Sequence, residues 1–454
     1  MSSHDLSLPA RRLPSALVVG FLLLAGTVVA GLVLWHPLAA AVAVVGLGLL
    51  MLFAAHADIA IMIAMVGRTL VGLLPGSTLA TLPGLPRGLN VEALIALFVV
   101  MGALVYLLAH RLPIARAPLT VPWLLFLAAL LVTVTVSLNR TTTVLYWVRM
   151  LSYFVVYIFV FASVRRSARG RDRWWTYLVA WSLLLPAIAW AHALVTGEGM
   201  GLLKGSTLPR LRGPFGGLEF GTLLMIPMLL ATVQVAETRG AARRRWLVAL
   251  GVIALSFALS QSRGPWAGYL AATVVLGVLH YRALPFVVLA AGLALFLLVP
   301  GLGARVREVV VSPEETSLAN RMATWAGAVQ LFRERPLLGT GFGVGYSLAA
   351  YVSRGTFRLT HSDYVRVLAD AGLVGLAAFL LWIAAQGLHG WRVWRGVRDP
   401  LHRRAALIFL GAWTAYLVAR ATGNVLTHAD FNFQFWTLAG LVSALPALER
   451  DQDA

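Results

Sequence analysis

The sequence predicts an all-α polytopic integral membrane protein, and three observations predict this fold class. The chain is 59% hydrophobic and only 12% charged, which is more apolar surface than a soluble core can hide. Apolar runs of about 20 residues, the length that crosses a bilayer, recur along almost the whole chain. In lipid such runs must be helices or a closed barrel, and barrel strands would be short and alternating. We therefore expect about 12–14 transmembrane helices.

Polar segments and Gly- or Pro-containing segments separate the apolar runs. The candidate spans are 14–35, 37–55, 58–75, 90–110, 119–138, 144–164, 174–196, 218–236, 247–261, 265–280, 284–300, 364–389, 405–421 and 431–447. Two spans, within 37–75 or 247–280, are short or close enough to be re-entrant or merged. The first run follows Arg11 and Arg12 and has no convincing small-residue cleavage site, so we interpret it as an uncleaved span.

The spans predict one membrane domain with three parts. Residues 1–300 form a transmembrane region with short loops, 301–362 form one long outer loop, and 363–454 form the C-terminal spans and a cytoplasmic tail. The Arg-rich loops at 165–173, 239–245 and 392–404 are expected in the cytoplasm, together with both termini. This sorting and anionic headgroups account for much of the net charge of +19, and no nucleic-acid motif is present. With no Cys, the chain has neither disulfide nor thiolate chemistry.

Several cations remain on the outer side. Lys204, Arg210 and Arg212 lie in a Gly- and Pro-rich loop, and Arg263 follows the polar interruption Ser260–Ser262. Burying a guanidinium costs several kcal/mol unless it has a partner, which makes Arg263 a functional candidate. Snorkelling of Arg263 to the headgroups is an equally consistent interpretation.

The loop 301–362 contains a pattern of apolar residues at helical spacing. This pattern predicts an amphipathic helix on the outer membrane surface, ended by Pro336. Its apolar residues are Leu318, Met322, Trp325, Val329 and Phe332. The Gly cluster at 339–345 predicts a flexible turn, and it is not a nucleotide loop because it follows no strand and lacks the Lys-Ser/Thr pair. His361, at the end of the loop, is either a functional residue or an interfacial His bonded to a neighbour such as Asp363.

Four motifs, taken in order, resemble the bacterial O-antigen ligase and O-antigen polymerase superfamily over roughly residues 200–380. They are Arg212-Gly-Pro-Phe, Ser262-Arg263-Gly264, the Arg321-to-Gly345 stretch, and His361-Ser362 followed by Asp370-Ala371-Gly372 and Gly375. The chain departs from the family pattern at Ser362, where His-Asn is common, and at Gly216–Glu219, where a turn contains Asn. These departures affect substrate positioning more than chemistry.

The resemblance implies a metal-independent, inverting glycosyltransferase of the bacterial inner membrane with its active site facing the periplasm. It implies an undecaprenyl-diphosphate-linked glycan as donor, a hydroxyl of lipid A–core as acceptor, and a role in lipopolysaccharide biosynthesis. His361 would be the general base, and Arg263 and Arg212 would stabilise the diphosphate. Arg210, Arg321 and Lys204 would contribute to binding of the diphosphate or glycan. The long loop would be periplasmic.

The outer acidic residues include no Asp-x-Asp pair, so we expect neither a metal site nor another cofactor. Two other enzyme functions share these motifs: an O-antigen or exopolysaccharide polymerase and a protein O-oligosaccharyltransferase. A flippase for lipid-linked sugars is the competing class, but it would bind its substrate at the midplane between repeated halves, and we see no internal repeat. The absence of an appended soluble domain and the single sizeable loop favour the ligase.

Overall fold

The computed structural model describes residues 37–71, 78–80, 89–110, 116–202, 209–215, 217–298, 317–345, 348–349 and 360–453. The predicted span 14–35, Lys204 and the loop segments 301–316 and 350–359 lie outside these residues. The described chain is almost entirely helical and divides into two compact units, Met1–Tyr106 and Leu107–Ala454.

The first unit contains three helices and a minimal strand pair. The helices are α1 (Pro37–Ala55), α2 (Ala57–Val71) and α3 (Val91–Ala109), whose last residues enter the second unit. Strands β1 (Thr78–Ala80) and β2 (Leu89–Asn90) pair antiparallel. Phe53 of α1 meets Phe98 of α3 edge to face, with ring centroids 6.2 Å apart.

The second unit contains twelve further described helices and a second strand pair, and it carries every predicted site residue that the structure describes. The elements are α4 (Thr120–Val136), α5 (Arg140–Arg166), α6 (Ala168–Thr196), β3 (Met200–Leu202), β4 (Pro209–Leu211), α7 (Gly217–Leu223), α8 (Met225–Glu237), α9 (Gly240–Leu259), α10 (Arg263–Leu279), α11 (Leu284–Leu298), α12 (Ser317–Glu334), α13 (Asp363–Gly396), α14 (Pro400–Thr422) and α15 (Ala429–Asp453).

The all-α polytopic membrane class is confirmed. In the described part of the chain, six helices are long and apolar enough to cross a membrane. They are Arg140–Arg166, Ala168–Thr196, Glu219–Glu237, Asp363–Gly396, Pro400–Thr422 and Ala429–Asp451. Shorter apolar helices cover Val44–Ala55, Leu94–Ala109, Thr120–Val136 and Leu284–Leu295. The candidate spans 247–261 and 265–280 fall on two separate helices, α9 and α10, because Ser260–Ser262 forms a turn between them.

Three tryptophans form the centre of the second unit. Trp123 of α4 lies 4.7 Å from Trp382 of α13 and 4.6 Å from Trp436 of α15, measured between ring centroids. All three side chains are fully buried. Aromatic groups in such tilted or edge arrangements contribute about 0.5–1.5 kcal/mol per pair beyond their buried area. The cluster joins three helices that are far apart in sequence.

Close packing of α10 against α14 positions the start of α10. A Cβ atom at Gly268 would lie 2.6 Å from the carbonyl oxygen of Ala415, so glycine is required for this approach of the two helices. In membranes, small residues allow such contacts because van der Waals packing drives helix association. The position of Arg263, at the first residue of α10, therefore depends on Gly268.

We expect Gly268→Ala to destabilise the protein, because the added methyl group would press on the backbone of α14. Overpacking of this kind typically costs about 1–3 kcal/mol. The matched control is Gly251→Ala on α9, where a Cβ would meet no atom within 4 Å. Thermal unfolding in detergent measures both variants. Equal unfolding midpoints for the two would contradict the packing argument.

Candidate active site

The turn that precedes α10 is built from polar residues and carries Arg263. Gln261 adopts a left-handed backbone conformation with φ 50°, and Ser262 is the N-cap residue of α10. Arg210 of β4 donates from Nε to the carbonyl of Ser260 at 2.7 Å and from a terminal nitrogen to Ser262 Oγ at 3.3 Å. Arg210 thus holds the turn in place, and Arg263 follows at the first residue of the helix.

Arg212 lies beyond the end of the β3–β4 hairpin. Strands β3 and β4 pair antiparallel, with Met200 opposite Leu211, and the backbone N–H of Arg212 donates to the carbonyl of Gly199 at 2.6 Å. The Arg212 side chain is exposed. Of the cations predicted in this outer loop, Arg210 is engaged with the Ser260–Ser262 turn, Arg212 is exposed, and Lys204 lies outside the described residues.

His361 occupies a corresponding turn before α13. It also has φ 50°, an uncommon conformation for a residue other than Gly, and the next residue, Ser362, is the N-cap of α13. Thr360 donates from Oγ1 to Asn424 Oδ1 at 3.3 Å, and its carbonyl accepts from Trp325 Nε1 at 2.7 Å. These contacts fix the backbone of His361 between α12 and the end of α14.

Asp363 is engaged away from His361. Its Oδ2 atom accepts from the backbone N–H of Leu426 at 2.7 Å and lies 4.0 Å from Nε of Arg420. Both side chains are buried. The alternative in which His361 is bonded to Asp363 is therefore not what the structure shows. Instead, Asp363 joins the start of α13 to the 3-10 turn Val425–Thr427.

The charge of Arg263 acts on Arg321, and the charge of Arg321 acts on His361. The pKa of His361 is lowered to about 4, mainly by burial and also by the charges of Arg321 and His428. Burial and the charge of Arg263 lower the pKa of Arg321, although a guanidinium remains protonated at neutral pH. Three half-buried basic side chains from α10, α12 and the loop before α13 thus share one site. Perturbed titratable groups of this kind are typical of functional sites.

The structure adds His428 and Glu219 to this site. His428 Nε2 lies 3.9 Å from Glu219 Oε1, and the side chains are 22% and 45% exposed. Burial lowers the pKa of His428, while the carboxylates of Glu219 and Asp430 raise it. No motif in the sequence pointed to His428. No spacing connects residues 219 and 428, so only folding brings them together.

Arg149 of α5 lies beside the 3-10 turn Val425–Thr427. It donates to the carbonyl of Thr427 at 3.4 Å, and its guanidinium lies 5.2 Å from the ring centroid of Tyr146. Arg366 of α13 lies on the same ring at 4.9 Å and donates to Thr427 Oγ1 at 2.9 Å. Two arginines therefore support the turn that carries His428.

The Gly cluster at 339–345 is a packed structural loop, so the prediction of a flexible turn is wrong. Gly339, Gly341 and Gly343 have positive φ, and the whole segment is buried. The N–H of Gly341 donates to the carbonyl of Asp370 at 2.9 Å, and that of Gly343 donates to the Asp370 carboxylate at 2.7 Å. These bonds fasten the loop to α13.

The helix predicted in the long loop exists as α12, which ends just before Pro336. Among its described side chains, Thr324, Ala328 and Leu331 are buried, whereas two of the predicted apolar residues, Met322 and Val329, are 61% and 38% exposed. Ala328 and Leu331 pack in a cluster with Ala369 of α13. The exposed apolar face agrees with a helix at a membrane surface, and that location stays a prediction.

The described residues include no group of three or more His, Asp and Glu side chains arranged to hold a metal ion.

Comparison with known proteins supports the relationship that the motifs predict. Residues 223–380, about a third of the chain, match the family model described as O-Antigen ligase. This segment contains Arg263, Arg321 and His361. No curated protein matches the chain. Over residues 223–380 the chain is thus similar to the O-antigen ligase family, in agreement with the resemblance of its motifs.

Proposed function

We propose that this protein is an O-antigen ligase: it transfers a glycan from undecaprenyl diphosphate to a hydroxyl of lipid A–core on the periplasmic face of the inner membrane. The family match supports a ligase or polymerase type of function acting on a lipid-linked glycan and an acceptor. The observation that carries the proposal is the grouping of His361 with Arg321 and Arg263 at one site.

The reaction requires a base and an anion site. As the acceptor oxygen bonds to the anomeric carbon, the bond from that carbon to the phosphate oxygen breaks with inversion. The acceptor proton passes to His361, and the electron pair leaves with the lipid diphosphate. General bases of this kind typically contribute about 10²–10⁴-fold to the rate.

Positive charge at the site would stabilise the departing diphosphate. Arg263 and Arg321 can donate fork-like charge-assisted hydrogen bonds to phosphate oxygens. Within the described part of the chain, the buried Nε of Arg321 has no hydrogen-bond partner. Helix α10 begins at Arg263 and α13 begins two residues after His361, and each helix N-terminus adds about half a positive charge. In this scheme Arg210 positions Arg263, and the exposed Arg212, with Lys204, contacts the donor as it arrives.

Substrate binding would strengthen the base. A free-enzyme imidazole with a pKa of about 4 is neutral at pH 7 and can accept a proton, but it is a weak base. The diphosphate would neutralise the Arg321 charge that lowers this pKa, so His361 becomes more basic when the donor is bound. The same arginine would thereby bind the donor and couple its binding to the strength of the base.

Transfer by the purified protein in detergent tests the function, with an undecaprenyl-diphosphate glycan as donor, lipid A–core as acceptor and products resolved by mass. We expect glycan on lipid A–core, and a loss of about 10²–10⁴-fold in His361→Ala. Extension of the carrier-linked glycan would identify a polymerase, and transfer to Ser or Thr of an added protein would identify an oligosaccharyltransferase. Tight donor binding with no covalent product would favour the flippase.

The pH dependence tests the base. Because the pKa of His361 is lowered to about 4, its neutral form predominates from pH 8 down to about pH 5. We expect kcat/KM for the donor to be level over this range and to fall as the pH approaches 4. The acid limb of kcat should lie at higher pH than that of kcat/KM, because the bound donor raises the pKa. A fall in kcat/KM centred near pH 6.5 would contradict this environment for His361.

Arg321→Gln should have two effects. The KM for the donor should rise by roughly tenfold or more, since a charge-assisted hydrogen bond is lost. The acid limb of kcat/KM should also move to higher pH, because the repulsion that lowers the pKa of His361 is removed. Arg333→Gln, at an exposed position of the same helix, is the control and should leave both quantities unchanged. An unmoved acid limb in Arg321→Gln would show that the two groups do not interact.

We expect EDTA to leave transfer intact, because the guanidinium groups and helix N-termini supply the positive charge that a divalent cation supplies in other glycosyltransferases. Initial rates with EDTA, compared with EDTA saturated by Mg²⁺, measure this. Loss of turnover that Mg²⁺ or Mn²⁺ restores would show the reaction to be metal-dependent.

A further inference from the structure

We propose that Asn432 of α15 is a positioning residue for His361 and that it acts through the turn 424–428. This inference rests on the proposed function and deepens it, because it names a residue on which the position of the base depends. Asn432 lies outside residues 223–380, so the family match assigns it no role. The turn includes the 3-10 turn Val425–Thr427 and ends where α15 begins.

The side chain of Asn432 is fully buried and binds the backbone of the turn. Its Nδ2 group donates to the carbonyl of Val425 at 2.8 Å, to that of Leu426 at 3.3 Å and to that of His428 at 2.8 Å. Its Oδ1 atom accepts from the hydroxyl of Tyr416 on α14. An amide suits this arrangement, because the three carbonyls require a donor and the hydroxyl requires an acceptor. Asn432 therefore fixes the turn along most of its length.

The same turn contacts the residues on both sides of His361. On the N-terminal side, Thr360 donates from Oγ1 to Asn424 Oδ1 at 3.3 Å. On the C-terminal side, the carboxylate of Asp363 accepts from the backbone N–H of Leu426 at 2.7 Å. Thr360 and Asp363 are fully buried, so water does not replace a bond that is lost. A shift of the turn would therefore move the backbone of His361.

Leu426 is the direct link between Asn432 and the start of α13. Its carbonyl accepts from Asn432, and its N–H donates to Asp363. Arg149 and Arg366 also bind the turn, but both do so at Thr427. Their contacts leave the carbonyls of residues 425 and 426 to Asn432.

The position of His361 also sets its basicity. Burial, Arg321 of α12 and His428 of the turn together lower the pKa of His361 to about 4. Loosening of the turn would expose His361 to solvent and separate it from His428. Both changes raise the pKa toward the ordinary value of 6.5. The pH profile therefore reports the position of the base.

Asn432→Leu tests the inference, because it keeps a side chain of similar size and removes both the donor and the acceptor. We expect kcat to fall roughly 10–100-fold and KM for the donor to change little, because a small displacement of a catalytic group is costly. The acid limb of kcat/KM should move to higher pH. A loss of folded protein would lower kcat without moving the acid limb, so the profile separates positioning from destabilisation.

The matched control is Gln434→Leu. Gln434 is buried on the same helix, and its Nε2 has no hydrogen-bond partner among the described residues. We expect this variant to retain the wild-type kcat and acid limb. If Asn432→Leu does not fold, Asn432→Ser replaces it, since a serine keeps one donor and should shift the acid limb by a smaller amount.

Two results would overturn the inference: a fall in kcat with an unmoved acid limb, or a rise in the donor's KM at unchanged kcat. If the wild-type protein transfers no glycan, the proposed function fails, and a measurement without substrate decides the inference. The rate at which diethyl pyrocarbonate modifies His361, followed by mass spectrometry as a function of pH, gives the pKa of its imidazole. A higher midpoint in Asn432→Leu than in Gln434→Leu supports the inference, and equal midpoints overturn it.

Discussion

A fully buried ion pair between Arg366 and Asp370, one turn apart on α13, determines how the parts of the site are assembled. Nε of Arg366 lies 3.3 Å from Oδ2 of Asp370, and neither side chain is exposed to solvent. Removing one partner of a buried pair leaves an uncompensated charge and typically costs about 3–5 kcal/mol. Each member also binds a second segment: Asp370 accepts from the loop at Gly343, and Arg366 donates to Thr427. The pair thus joins the loop 339–345 to the turn before His428.

This arrangement explains the motif Asp370-Ala371-Gly372 in physical terms. Asp370 supplies the carboxylate that fastens the glycine loop to the helix. Gly372, with φ 61°, kinks α13, and a Cβ there would lie 2.5 Å from the backbone of Leu337. The motif is therefore a structural connection between α13 and the segment after α12, and the proposed chemistry belongs to His361 and the arginines.

The two turns that carry the proposed chemical groups share one design. Each has a residue with φ 50°, then a serine N-cap, then a helix: Gln261 precedes Ser262 and α10, and His361 precedes Ser362 and α13. Both are held by hydrogen bonds from distant elements, through Arg210 in one case and through Thr360 with Trp325 in the other. A polar site inside an apolar bundle requires such support, because unpaired polar groups are costly there.

The sequence by itself determined the membrane class, most helix positions and the candidates His361, Arg263 and Arg321, because hydropathy, helix-ending residues and short motifs are local properties. The tertiary structure decided what those residues face. In the tertiary structure the Gly cluster is a packed loop and not the predicted flexible turn. Thr324, Ala328 and Leu331 of α12 are buried there, and Arg149 has a partner. It also brought Glu219 and His428, about 200 residues apart, to within 3.9 Å. Local patterns do not encode this contact, because it depends on the packing of helices from the whole second unit.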